Sequence, residues 1–246
     1  MFDFDLDPGL LELLENKKVA IVGPSPHLIG MGLGRRIDQY DVVCRVNEIH
    51  PSGFEDSYGN KTDIMFHNCG TDFTDQLGEK IIESPEVSKE MKYVVCPCVK
   101  AKGSDNDWNS WDDDHISDVV ANFGKVNKYN TPFYWIGMKN YRKAFNVFGC
   151  EPNAGQTAIL LLLEHRVSQL LITGFSFYSQ GDHPSLAHRP GHTYKGREDE
   201  KIGNPGHPQK PQIYAFKNSI YQKYKDKIVV DSFLDNLLDL KHDKVL

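Results

Sequence analysis

The sequence predicts an α/β protein built on a doubly wound, mostly parallel sheet. Short runs rich in Val, Ile and Leu, such as Lys17 to Gly23 (KKVAIVG) and Asp41 to Val46 (DVVCRV), have the length of strands and are apolar on both faces. They alternate with segments of helical spacing, and that alternation describes a parallel sheet covered on both sides. The first run also ends in Gly23 and opens into a Pro/Ser/Gly loop before a helical segment, which is a strand–loop–helix unit.

Leu33 to Tyr40 carries the helical spacing that follows this loop, and Tyr93 to Cys96 (YVVC) and Pro132 to Ile136 (PFYWI) read as two further strands. Pro152 and Asn153 open a helix that runs to about Arg166, asparagine being a good N-cap, and Gln169 to Thr173 (QLLIT) is the next strand. Lys227 to Val230 (KIVV) is the last strand, and Phe233, Leu234, Leu237 and Leu238 place an apolar stripe on a final helix. No repeat or low-complexity tract divides the chain, so residues 1–246 are expected to form one Rossmann-like domain. Ser176 to Gln212 is rich in Gly, Pro and His and nearly free of aliphatic residues. It is expected to be a lid or active-site loop, because structureless loops of that length are commonly functional.

Composition excludes several classes. Hydrophobic residues at 39% and charged residues at 25% fit a folded globular chain and not a disordered one. A formal net charge of −6 with scattered Lys and Arg argues against nucleic acid as a partner. No segment approaches the roughly 20 apolar residues that span a bilayer, and the acidic, amphipathic stretch Met1 to Asn16 lacks the pattern of a secretion signal. Five cysteines without framework spacing fit a reducing compartment, so a cytoplasmic location is expected, with Cys44 and Cys96 as small apolar residues inside strands. Asp3, Asp5 and Asp7 read as a solvated end.

In such sheets ligands sit beyond the carboxyl ends of the strands, so chemistry is sought in the loops after Val22, Val46 and Thr173. Gly23-Pro24-Ser25-Pro26 and Gly30-Met31-Gly32-Leu33-Gly34 fill the first of these, and glycines between a strand and a helix let backbone N–H groups approach a phosphate. The glycines start too late for a dinucleotide fingerprint. They continue, however, into Gly34-Arg35-Arg36-Ile37-Asp38, then Asp41-Val42-Val43-Cys44-Arg45-Val46-Asn47, then Gly53-Phe54-Glu55-Asp56 and Gly59-Asn60-Lys61-Thr62-Asp63. That order resembles the large motif of the sialyltransferases, glycosyltransferase family 29. Pro152-Asn153-Ala154-Gly155, an apolar helix, and Ile172-Thr173-Gly174-Phe175 are similar to the family's small motif. Gly191-His192-Thr193-Tyr194 and then His207 stand at the spacing of its later histidines. The resemblance covers about residues 17–68 and 150–216. Departures are Pro24 where the family has Asn, Gln212 where it has Glu, and Lys18 and Arg166 near the positions of its motif-linking cysteines.

The resemblance implies a GT-A-like variant of the Rossmann-like fold and inverting transfer of a CMP-activated keto-acid sugar, sialic acid or a relative such as Kdo, to a glycan hydroxyl. A nucleoside monophosphate leaving group has no diphosphate to chelate a divalent ion, so no metal or other cofactor is expected, and protein donors stabilise the departing charge. His192, Tyr194 and the Asn153–Ala154–Gly155 helix start are assigned to the phosphate, and Gly23, Ser25, Asn47, Gly174 and Phe175 to the nucleotide pocket. His207 is the general base for the acceptor hydroxyl, with His183 and His188 next in line. Imidazole suits that role, having an unperturbed pKa of about 6.5. Two rivals stand beside this reading. Asp112 and Asp114 form an Asp-x-Asp that would hold a metal in a nucleotide-diphosphate-sugar transferase, and a non-catalytic nucleotide- or glycan-binding relic would share the fold.

Overall fold

A computed structural model describes residues 4–47, 53–67, 85–97, 116–177, 179, 203–204 and 207–246. The described strands are β1 (Lys18–Val22), β2 (Val42–Val46), β3 (Ile64–Phe66), β4 (Tyr93–Cys96), β5 (Phe133–Trp135), β6 (Gln169–Thr173), β7 (Gly203–Asn204), β8 (His207–Pro208) and β9 (Ile228–Val230). Seven of them form one sheet in the order β5-β4-β3-β2-β1-β6-β9, with β7 and β8 paired apart as a small antiparallel ladder. Every pair in the large sheet is parallel. The chain steps outward from β1 to β5, then returns to lay β6 on the other side of β1. Winding therefore reverses between β1 and β6.

Alternation along the strands sorts the core into two layers. Val19, Ile21, Cys44, Phe66, Leu170, Ile172 and Val230 face one way, and they pack with α1 (Pro8–Leu14) and the buried side of the later helices. Ala20, Val22, Val43, Leu171 and Val229 face the other way, under the 3₁₀ turn Pro26–Leu28, α2 (Gly34–Ile37) and α3 (Glu55–Tyr58). Towards the β5 edge that second face carries Met65, Val94 and Cys96 under α4 (Pro85–Glu90) and α5 (Ile116–Val126). The first face is closed by α6 (Gly137–Phe148) and α7 (Ala154–Glu164). All eleven residues of α7 are buried, as expected of a helix apolar on every side. The doubly wound reading is the observed architecture.

Differences from expectation have local causes. Strand β3 lies in Asp63-Ile64-Met65-Phe66, a three-residue strand too short for periodicity to reveal. The helix expected over 33–40 shrinks to α2, because the chain first makes the Pro26–Leu28 turn. The expected loop 176–212 ends early at both sides. Phe177 is buried with its ring edge-on to Phe216, centroids 5.8 Å apart. Gln209 and Gln212 belong to α8 (Gln209–Ala215), which runs on through a π-helical Phe216–Tyr221 and a last turn Gln222–Tyr224. Both glutamines are buried, so their polarity misled the sequence reading. Nor is the acidic start merely solvated: Asp7 accepts from Leu10 N at 2.8 Å as the N-cap of α1, while Asp5 meets Lys139 Nζ and pairs its backbone with the Asn140 amide. The final helix, α9 (Ser232–Leu238), is as expected, with Asp231 as its N-cap.

Close packing of α2 on α3 makes one glycine obligatory. A Cβ on Gly34 would fall on the carbonyl oxygen of Glu55 and lie 2.8 Å from that of Asp56, and neither backbone atom can give way. Gly34→Ala is expected to cost about 1–3 kcal/mol, lowering Tm by roughly 2–12 °C. Gly124→Ala, in α5 with nothing within 4 Å of the new methyl, should leave Tm unchanged or raise it, which thermal unfolding by circular dichroism will check.

Candidate functional site

The carboxyl ends of β1 and β6 meet where the winding reverses, with Val22 opposite Thr173. Gly23 N donates to Thr173 O at 2.8 Å and Ser25 N to Gly174 O at 2.9 Å, so the two outgoing loops stay in backbone contact past the strands. A Cβ on Gly23 would fall on Gly174 O, and one on Gly174 would fall on Gly23 O; Gly174 also has φ +74°. Only glycine fits either position. Phe175 then turns its ring against α7, where a Cβ on Gly155 would come within 2.6 Å of Phe175 Cε1. Three of the five segments assigned to the nucleotide and its phosphate therefore converge: the turn after β1, the Gly174-Phe175 pair and the start of α7.

Asn153 caps α7 through its side chain, accepting from Gln156 N at 2.8 Å. Its amide oxygen is thus already engaged, and the anion-binding capacity of this helix start lies in the first-turn N–H groups of Ala154 and Gly155. Gln156 Oε1, buried beside them, has no hydrogen-bond partner among the described residues. Asn47 stands farther along the same edge, exposed after β2 with φ +62° and its N–H donated to Phe66 O.

Much of the large motif serves as scaffold behind these residues. Asp38 accepts from Asn60 N and Lys61 N, and Arg45, fully buried, donates Nε to Thr62 Oγ1 and Nη2 to the carbonyls of Tyr58, Gly59 and Lys61. Burial lowers the Arg45 pKa to about 10, so it stays charged at neutral pH. Tyr58 OH in turn donates to Ser25 O at 2.6 Å, which connects this scaffold to the turn after β1.

Sequence reasoning missed a polar cluster at the same edge. Asp231 follows β9 and is wholly buried; its Oδ2 accepts from Thr173 Oγ1 at 2.8 Å, Gly174 N at 3.0 Å and His27 Nε2 at 3.1 Å, while Oδ1 accepts from Leu234 N at 2.7 Å. The other nitrogen, His27 Nδ1, is 2.9 Å from Ser25 Oγ. The imidazole stacks on Phe233 with centroids 4.0 Å apart. Both residues sit just past a strand's carboxyl end, the one positional signal that singles them out in sequence. Burial by itself would raise the Asp231 pKa, but hydrogen bonds from His27, Leu234 N and Thr173 outweigh it and hold the carboxyl below its ordinary value.

Of the remaining assigned residues, His207 lies on β8, and its backbone pairs with Asn204. His192, Tyr194, His183, His188, Asp112 and Asp114 lie outside the described residues.

The depressed Asp231 carboxyl has a signed consequence. Its contribution is present above the unfolded-chain value of about 3.9 and is lost as pH falls through the lower folded-state value. Asp231→Asn should therefore destabilise the protein by about 1–3 kcal/mol at neutral pH, with the gap to wild type narrowing below about pH 4, as urea unfolding across pH will show.

Residues 10–109 match the family model for glycosyltransferase family 29 (sialyltransferase). The CMP-N-acetylneuraminate-beta-1,4-galactoside alpha-2,3-sialyltransferases of Rattus norvegicus and Homo sapiens are each 39% identical over 62 residues, which is 25% of this chain and 16% of theirs. Among solved structures, a mammalian sialyltransferase superposes with TM-score 0.51 at 20% identity, covering 93% of this chain and 73% of its own. The sialyltransferase CstII from Campylobacter jejuni in complex with cytidine-5′-monophosphate gives 0.55 at 16%, covering 91% and 84%. The monofunctional alpha-2,3-sialyltransferase Cst-I from the same organism gives 0.57 at 17%, covering 95% and 81%. Among the described residues no helix is long and apolar enough to cross a membrane. The chain is sialyltransferase-like, with the sequence signature of glycosyltransferase family 29 over residues 10–109 and the sialyltransferase fold along most of its length.

Proposed function

We propose that this chain is an inverting glycosyltransferase that moves sialic acid, or a related keto-acid sugar such as Kdo, from a CMP donor to a glycan hydroxyl. One observation carries the reading: the turn after β1, the Gly174-Phe175 pair and the N-terminus of α7 converge where the winding reverses, in a chain whose sequence is family 29-like. A phosphate at the Ala154–Gly155 helix start would meet the first-turn N–H groups, which have no partner inside a helix, and the favourable end of the helix dipole. The nucleoside would then extend over Gly23, Ser25 and Gly174 towards Asn47.

His207 is assigned as general base, and a tether supports the assignment. Gln209 Nε2 donates to Phe177 O at 2.7 Å, which joins the chain two residues after His207 to the chain two residues after Phe175. His192 and Tyr194 are assigned to the departing phosphate, whose developing charge needs hydrogen-bond donors where no metal supplies them. The segment between Phe177 and Gln209 is assigned as the active-site lid.

Calorimetric titration should show CMP binding more tightly than UMP, with and without EDTA; equal affinity overturns the donor assignment, and loss of binding in EDTA moves the site to Asp112 and Asp114. Release of CMP from a CMP-sugar separates an enzyme from a binding relic. His207→Ala should abolish transfer while leaving CMP affinity nearly unchanged. His192→Ala should weaken both, with affinity falling roughly 10- to 150-fold for a lost charge-assisted bond. Near-normal turnover in His207→Ala would instead direct attention to His183 and His188.

A further inference from the structure

We propose that His27 and Asp231 are positioning residues that fix Ser25 Oγ as a hydrogen-bond acceptor for a donor group on the nucleoside half of the ligand. The inference rests on the nucleotide reading of the cleft. Asp231 Oδ2 already receives a hydroxyl and a backbone N–H, and as an acceptor-only carboxylate it requires His27 Nε2 to carry a hydrogen. With the imidazole taken as neutral, the second nitrogen is then bare. Ser25 Oγ, 2.9 Å from Nδ1, must donate its single proton there. Its lone pairs are what remain for a ligand.

The ring has little freedom to escape this arrangement. Its side chain is 5% exposed, it stacks on Phe233 at an interplanar angle of 15°, and its Nε2 is held by a buried carboxylate. Ser25 is held equally firmly, its N–H on Gly174 O and its own carbonyl oxygen taking the Tyr58 hydroxyl. An oxyanion facing Ser25 Oγ would meet lone pairs only, so this hydroxyl suits no phosphate oxygen. It suits a ribose hydroxyl or an exocyclic amine, each of which brings its own hydrogen. A purely structural role for the Ser25–His27–Asp231 chain would hold the β1 and β9 loops together but would not discriminate among ligands.

Calorimetry of the full chain with CMP, 2′-deoxy-CMP, 3′-deoxy-CMP, UMP and cytidine tests this. In the wild type, one of the first three analogues should bind roughly 2- to 12-fold more weakly than CMP, the value of one hydrogen bond, and its identity names the donor group. Ser25→Ala should bring CMP down to that analogue and leave the analogue's own affinity unchanged. His27→Phe keeps the stacked ring and should do the same, while His27→Gln, able both to donate to Asp231 and to accept from Ser25, should recover part of the preference. Should His27→Phe fail to fold, Ser25→Ala decides alone. If these substitutions weaken all ligands equally, or change only the ratio of CMP to cytidine, the acceptor role is refuted. A wild type that does not bind CMP refutes the donor reading and takes this inference with it.

Discussion

The contact on which the site depends is a backbone crossing with no side chain in it. Gly23 and Gly174 leave neighbouring strands at the reversal of winding, and each occupies the space that the other's Cβ would need. Larger residues would push the β1 and β6 loops apart, and the hydrogen bond from Ser25 N to Gly174 O would open with them. That bond sets where the Ser25 hydroxyl lies, and Phe175, the next residue after the crossing, sets how closely α7 approaches. A methyl added at either position would thus displace the Ser25 and Phe175 loops together, by the rigid way these loops are packed and not through any single strong interaction.

Behind the crossing, charge is used to hold backbone. Arg45 is buried with its guanidinium directed at carbonyl oxygens of residues 58, 59 and 61 and at the Thr62 hydroxyl, and Asp38 collects the N–H groups of residues 60 and 61 from the other side. Between them they satisfy a tight loop that has no ladder partners, as buried backbone groups must be satisfied. Asp231 does the same on the far flank, where one carboxylate serves the cap of α9, the N–H of Gly174, a threonine and a histidine. The Gly23 and Gly174 loops are pinned from both sides by residues that need not touch a ligand.

Sheet and helices were legible where the pattern was long enough to count. Tyr93–Cys96 and Gln169–Thr173 form at the predicted bounds, and Asn153 caps α7 as its residue type suggests. Ile64–Phe66 was not legible, since three residues show neither alternation nor a run. The buried amides Gln209 and Gln212 looked like loop because composition cannot see a partner such as the Phe177 carbonyl. In the site, the motif resemblance singled out Gly23, Gly174 and the Asn153–Gly155 helix start, and the fold shows what the sequence could not, that the two glycines cross and that the Asn153 amide oxygen caps α7. His27 and Asp231 escaped because their meaning is a contact across 204 residues of chain. Only the fold brings the ends of β1 and β9 to the two sides of β6.

The two halves of the proposed chemistry therefore rest on different kinds of support. The proposed nucleotide contacts are drawn from the ends of central strands and from a wholly buried helix, so their positions follow from the core. His207 instead depends on the path by which the chain returns to α8, and among the described residues that path is held where β8 pairs with β7, where Gln209 reaches the Phe177 carbonyl and where Phe177 packs on Phe216. Phe177 stands two residues beyond the Phe175 that packs against α7. If His207 is the base, as proposed, the side-chain amide and aromatic contact at this junction set it apart from the proposed donor pocket, whose loops are tied to the sheet through the Gly23–Gly174 crossing.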